Sequence, residues 1–596
     1  LESKNLIIAV VLSMAVIFVF GVLIPSTMEK GKKGEPSGES ASAKTSTGGG
    51  KKEAGAPQEN EAKPEKGAEE AAPAAEAKPE LPSYPEEKVT LRTPLVKAVF
   101  STRGAALVSY ELLDSHYDVD KGGRNQDLVT RDPADGSPLR QIGFLAESPG
   151  GSVREDLDYR IGKVTEDTVL FVSEVGPWRI TRWYRMFDGY KINTSTTVTN
   201  IGTAPASLKP AMVVRSYKEE KKATGIMAWL NPSRDIPSGL CNLAGDTERK
   251  DIKKLRRDRL SLAGEITFTA VDSLYFMSAL MPVKPPGTGG GDASLAVDHG
   301  ASSGCVVSAD EQGVIEARLT RAESNLGPGQ STTMGAISYI GPKEYTRLSD
   351  FGYELRTAIN FGWFGVLAIF FLAVLKVLHG WVLNWGLAII LLTVIIKVAL
   401  APLTHWSSVS MRNMSAVKPL IDEINKRYGA PEDREKKNQA MMELYKAHKI
   451  NPAMGCLPML LQMPIWIALY SMLARSVELY HTPFFLWIGD LSQRDPYFIL
   501  PILLGGSMFL QQKMTPTTAD SQQAKMMMYF MPVMFTGFML FLPAGLNLYI
   551  LVSTVLTIVQ QRVMYRPKVA TAPEKKVQLL AEIDQRELKK DKARKK

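Results

Sequence analysis

The sequence predicts a polytopic α-helical membrane protein with six transmembrane helices, five of them forming a C-terminal core, and a large all-β sandwich domain after the first helix. Three observations predict it. Apolar residues gather into spans at 5–24, 385–403, 455–475, 497–513, 528–543 and 545–562, near the ~20 residues a bilayer requires. Between the first two spans, about 260 residues alternate apolar and polar side chains, in runs such as "WRITRWYRMF" and "YKINTSTTVTNIG". Basic residues concentrate in two places, with nine Lys/Arg in the loop 404–451 and twelve in residues 562–596.

Residues 1–28 form the first element. "NLIIAVVLSMAVIFVFGVLI" follows Lys4, and no small-x-small cleavage site ends it, so an uncleaved anchor is expected. Residues 29–84 are rich in Ala, Pro, Glu, Lys and Gly, and cannot bury enough surface to offset their ordering entropy. A disordered linker follows from that. Residues 85–344, with short alternating runs and turn residues between them, make the β-sandwich.

Residues 345–383 change character: "EYTRLSDFGYELRTAIN" is amphipathic, and "FGWFGVLAIFFLAVLKVLHGW" is apolar for nearly a full span. The positive-inside rule puts the 404–451 loop and the tail in the cytoplasm. With an inside N-terminus, six spans keep the tail there, and a seventh at 361–378 moves it out. Residues 361–378 are therefore expected in the outer membrane–water interface, with Trp363, Lys376 and Trp381 at headgroup level. A re-entrant segment satisfies the same parity.

Residues 384–564 hold the five-helix core. Its loop 404–451 carries Met411, Met414, Val417, Ile421, Ile424 and Tyr428, then Met441, Leu444, Tyr445 and His448, at helical spacing around "YGAPED". An antiparallel helical hairpin is expected, with Met411, Met414, Ile421, Met441 and Tyr445 as a candidate docking face. Residues 565–596 are a basic cytoplasmic tail.

Signatures of catalysis are few. A Walker A pattern and an HExxH zinc site are absent, and the six His residues are scattered. "GASSG" at 300–304, beside His299, fits a nucleophile elbow at Ser302. The elbow needs a following helix, and "CVVSADEQGV" reads as strand. Cys241, Cys305 and Cys456 make no metal-ligand spacing; Cys241 and Cys305 either pair in an oxidising compartment or stay free thiols. No catalytic group, cofactor or metal is expected.

The chemistry that does stand out is a charge in a spanning helix. In "NWGLAIILLTVIIKVALAPLTHW", Lys397 lies roughly 18 Å below the outer end and 8 Å above the inner end at about 1.5 Å per residue. A lysine there costs about 2.5–3.5 kcal/mol unless it faces water or a partner, and snorkelling to the interface is the simple alternative. Thr393 sits at i−4 on the same face, and other spans contribute Gln462, Gln511, Asn547, Ser553 and Thr554, which suggests one hydrated pocket. Seventeen of 25 Met residues fall at or after 411, a composition suited to varied apolar partners.

These residues also carry a resemblance. "NWGLAIILLTVIIKVALAPLT", "MMELYKAHKINPAMGCLPMLLQMPIWIALY", "FFLWIGDLSQRDPYFILPIL", "QKMTPTT" and "GLNLYILVSTVLTIVQQ" resemble the YidC/Oxa/Alb family of membrane protein insertases, and the layout is similar to the Gram-negative form with a large periplasmic domain. The resemblance implies a bacterial inner-membrane insertase and chaperone, with cytoplasmic termini and a hydrophilic groove closed on the outer side. Lys397 corresponds to the groove's positive residue, often Arg; Lys keeps the charge and loses the bidentate fork. Tyr549 corresponds to a substrate-contacting aromatic, and Ile550 replaces a frequent second one. Implied partners are nascent membrane proteins, membrane lipids, the Sec translocon (SecYEG and SecDF), and the ribosome through the basic tail. A transporter using Lys397 as counter-ion, and a periplasmic binding protein or enzyme built on the sandwich, are the rival readings. No internal repeat supports the first, and no acid/base pair the second.

Overall fold

The structure is a computed structural model that describes residues 84–119, 123–149, 152–219, 236–283, 303–428, 433–448, 450, 457–514 and 521–564. The expected anchor, nearly all of the linker, Ser302 with His299, Cys456 and the basic tail lie outside the described residues. Eighteen strands among the described residues run between Lys88 and Pro342, all antiparallel. The largest sheet has nine strands, in the order 246–251, 238–243, 266–272, 276–283, 331–342, 191–200, 178–187, 168–175 and 160–164. A six-stranded layer and a three-stranded sheet at Lys88–Leu112 complete the domain.

Alternation explains how these strands pack. In Trp178–Phe187, Trp178, Ile180, Arg182, Tyr184 and Met186 are buried, and the residues between them are not. Cys241 of the nine-stranded sheet is disulfide-bonded to Cys305 of the six-stranded one, their Cα atoms 6.1 Å apart. The open choice left by the sequence is thereby resolved in favour of a bridge across the core. Gly341 is required where the sheet meets Tyr190, since a Cβ there would press on the ring at 2.8 Å.

Nine helices follow among the described residues: α1 (Tyr345–Phe351), α2 (Gly365–Val382), α3 (Trp385–Ala416), α4 (Lys418–Arg427), α5 (Arg434–Ala447), α6 (Leu457–Arg475), α7 (Ile499–Met514), α8 (Ser521–Met539) and α9 (Ala544–Met564). By length and composition, α2, Trp385–Met411 of α3 and Ala544–Val563 of α9 can each cross a membrane. Their lipid-suited surface continues onto α7 and α8, where Ile502, Leu503, Tyr529, Phe530 and Val533 are exposed.

Two boundaries differ from the sequence reading. The span expected to end near Pro402 continues as one helix to Ala416. Pro402 removes a single N–H, and the Thr404 hydroxyl reaches back to the carbonyls of Leu400 (3.1 Å) and Ala401 (3.0 Å). The span expected to run to 543 stops at Met539, because a tight turn through Pro543 is tied by the Asn547 amide.

The β-domain meets the helices through the segment after α6. Val477 is buried within the β-domain core, Tyr480 packs against Tyr275 and Phe276, and His481 Nδ1 lies 2.7 Å from Asp118 O. Lys376 of α2 pairs with Glu344 (3.1 Å) and Glu478 (3.0 Å) at the same junction. Burial opposes ionisation of both acids. It pushes the Glu478 carboxyl above its ordinary range, whereas Lys376 and Arg347 hold Glu344 below it.

Candidate functional site in the helical core

The site is built where α3, α6 and α9 pack together. Thr393 and Lys397 lie one turn apart on α3 and share a face. Lys397 Nζ donates to Thr557 Oγ1 of α9 at 2.9 Å. Thr557 in turn donates to Ser553 O at 2.8 Å, which leaves its oxygen as an acceptor for the ammonium. Nearer the C-terminal end of α9, Gln560 Nε2 donates to Thr404 Oγ1 at 2.6 Å, so α3 and α9 share a polar seam. α3, α6, α7, α8 and α9 carry no Asp or Glu. The cation therefore has no carboxylate partner among the described residues.

A second polar contact joins α6 to α9: Gln462 Nε2 donates to the Tyr549 hydroxyl at 3.2 Å, and the Tyr549 ring is buried. The remaining predicted residues serve local roles. Thr393 and Thr554, both buried, return their hydroxyl protons to Ile389 O (2.7 Å) and Ile550 O (2.8 Å). Asn547 donates to Met539 O (3.1 Å) and Leu542 O (3.3 Å), and its buried Oδ1 has no protein partner. Gln511 is partly exposed on α7. From Asn547 to Thr557 is about 15 Å along α9. The polar groups are strung along the helix rather than gathered at one point.

Thr557, Gln560 and Thr404 were not singled out by the sequence reading. Their signal was present: Ser553, Thr557 and Gln560 recur at i, i+4 and i+7, the spacing of one helical face.

The end of the site nearest the start of α9 is covered by the loop between α6 and α7. Asp495 accepts from Leu500 N (2.7 Å) and Trp487 Nε1 (3.1 Å), while Gln493 O and Leu491 O accept from Ala544 N (2.7 Å) and Gly545 N (2.9 Å). Buried Ile488 and Leu491 fix this cap over the start of α9.

On the α4–α5 hairpin, the expected docking residues lie differently from one another. Ile421 is 1% exposed, sealed between α4 and α5 with Leu420, Ile424 and Leu444. Met414, Met441 and Tyr445 pack against that small core, and Met411 is partly exposed on α3. Helices of ten and fourteen residues must bury their one apolar stripe against each other, which turns Ile421 away from any partner. Met442 is half exposed instead.

Comparison with known proteins assigns both halves. Residues 88–374 match the YidC periplasmic domain, and residues 377–572 match the 60Kd inner membrane protein family. The membrane protein insertase YidC of Geotalea daltonii is 33% identical over 569 residues, covering 94% of this chain and 98% of that protein. Its namesake in Geobacter sulfurreducens is 36% identical over 489 residues, covering 81% and 87%. A YidC insertase crystal structure with its first transmembrane domain resolved covers 82% of this chain and 95% of its own, at 18% identity; with a TM-score of 0.34 it adds nothing to the assignment. The two family matches and the near full-length relatives agree, and the chain belongs to the YidC family of membrane protein insertases, with a periplasmic domain and an inner-membrane helical domain.

Proposed function

We propose that this protein inserts nascent inner-membrane segments, and helps them fold, through a hydrated, positively charged groove between α3, α6 and α9, without covalent chemistry. One observation carries the reading: Lys397 lies within helices that hold no carboxylate and, among the described residues, is met by a single neutral hydroxyl. A cation kept there unneutralised attracts acidic residues in the short translocated flank of a substrate. Gln462 and the Tyr549 hydroxyl hydrate that flank. The apolar part of the substrate then slides along the Met- and Leu-rich helices into lipid. Partitioning of apolar surface drives the step, and a membrane potential negative inside adds about 2.3 kcal/mol per 100 mV for each acidic charge carried outward.

The same reading organises the chain as an anchor (1–28), a linker (29–84), a β-domain (85–344), an interfacial segment (345–383), a core (384–564) and a basic tail (565–596). Both termini are cytoplasmic. The interfacial placement of α2 is supported by its contacts: Lys376 reaches the β-domain junction, and Trp363, Val366, Phe370, Val377 and Trp381 form one exposed apolar stripe. The tail contacts the ribosome, the hairpin receives substrate, and insertion proceeds alone or beside the Sec translocon (SecYEG, SecDF).

Reconstitution of the full chain in proteoliposomes tests the mechanism. With a single-span substrate bearing an acidic flank, Lys397→Leu is expected to slow insertion about tenfold, equivalent to about 1.4 kcal/mol in the barrier. Lys397→Glu should be slower still, and Lys397→Arg should retain activity. Insertion by Lys397→Leu at the wild-type rate would refute the charged-groove mechanism.

A further inference from the structure

We infer that Thr557 is a positioning residue for Lys397, holding its ammonium inside the α3–α9 seam for carboxylates in a substrate's translocated flank. The inference rests on the groove reading above and adds a residue to it. Lysine has a long flexible stem, and this one sits close enough to the cytoplasmic interface to snorkel out. Something must hold it at depth if its charge is to be used there.

Thr557 meets that need in three ways. Its Oγ1 accepts from Lys397 Nζ at 2.9 Å, across two helices 160 residues apart in sequence. Its own proton is committed to Ser553 O, which orients the oxygen as an acceptor. The Gln560–Thr404 bond occupies the same seam further toward the cytoplasm, along the path a snorkelling side chain would take. The chemistry of the partner also matters. A carboxylate here would neutralise the ammonium, whereas a hydroxyl fixes it and leaves the charge intact. The ammonium has three donors, and the other two have no protein acceptor among the described residues.

The test uses the full chain in proteoliposomes with two single-span substrates, alike except that one carries two Asp in its translocated flank and the other two Asn. Thr557→Val and Thr557→Ser are each made in the wild-type and Lys397→Leu backgrounds. Thr557→Val should slow the Asp substrate about threefold, and by no more than about twentyfold, as expected for one hydrogen bond within a membrane. The Asn substrate should be unaffected, Ser should restore the rate, and Val should add nothing in the Leu background. Equal losses on both substrates, an additive loss with Lys397→Leu, or an unchanged Asp rate would each overturn the inference. Size-exclusion profiles separate misfolding from loss of function, because Thr557→Ser keeps the hydroxyl. If Lys397→Leu slows the Asp substrate and Thr557→Val does not, only the positioning role fails. If Lys397→Leu is itself silent, the groove reading fails with it.

Discussion

Two cations away from bulk solvent, one in each half of the molecule, are treated in opposite ways. Arg182 in the β-domain is fully buried and donates to Gly104 O (2.8 Å), Ala105 O (3.1 Å) and Ile142 O (2.6 Å), with Thr196 Oγ1 at 3.4 Å and Tyr184 beneath the guanidinium. Lys397 in the helical core donates to one hydroxyl. A planar fork with four of its five N–H groups engaged, three of them by carbonyls, is an architectural tie, because little remains to offer a ligand. A point charge with unused donors is poor architecture and a good receptor. Burial of charge alone does not mark a functional site; the count of satisfied donors does.

The largest effect that can break this comparison is on folding. Arg182→Leu removes the side-chain donor to Gly104 O, leaves Ala105 O and Ile142 O with the Tyr184 hydroxyl alone, and empties a fully buried site, so it should destabilise the β-domain by about 3–5 kcal/mol. Hydrogen exchange along strand 178–187 reads that loss. Lys397→Leu, measured on the core amides, should cost under about 1 kcal/mol. Equal destabilisation by the two would erase the distinction. Next comes the disulfide, which ties the sheets of the β-domain and has no counterpart among the described core residues. It closes a separation of 64 residues, and replacing Cys241 and Cys305 by Ser together should lower stability by about 4 kcal/mol in the chain-entropy account. Denaturant midpoints with and without reductant measure this, and coincident midpoints would show that packing alone joins the sheets.

The smallest expected effect concerns pH. Burial works against the Glu316 carboxylate, but Arg215 and Arg318 beside it hold its pKa below the usual carboxylate value. A depressed acid stabilises the fold fully above its unfolded pKa, and that contribution is lost as pH falls through the folded value. The β-domain should therefore lose a small part of its stability through this residue as pH falls below the ordinary glutamate range. Glu316→Gln should flatten that part of the acid profile, and an unchanged profile would remove Glu316 from the account.

Legibility in the sequence followed the physics of each element. Strand 178–187 was readable because its alternation survives in the folded sheet, and Lys397 because a charge among apolar residues has few explanations. Thr557 was obscured by its commonness: a threonine in a membrane helix usually bonds its own backbone, as Thr393 and Thr554 do. Only the pairing of α3 with α9 separates it from them. Pro402 misled for the opposite reason, since it looks like a helix stop while it costs the helix only the one N–H that would meet Val398 O. The Cys241–Cys305 bond required the register of two sheets, which no local pattern encodes.

The seat of Val477 in the β-domain core has a consequence for biosynthesis. His116 Nε2 meets Val477 O across 361 residues, so the sandwich lacks one of its own core side chains when its last strand leaves the ribosome. From the end of that strand at Pro342, about 135 more residues must be made before Val477 emerges, roughly 7–27 s of translation at ~5–20 residues per second. Until then Tyr275 and Phe276 lack the Tyr480 ring that packs against them. The sandwich core is completed only when the segment after α6 has been made and has docked, so maturation of the β-domain waits on synthesis of part of the helical half.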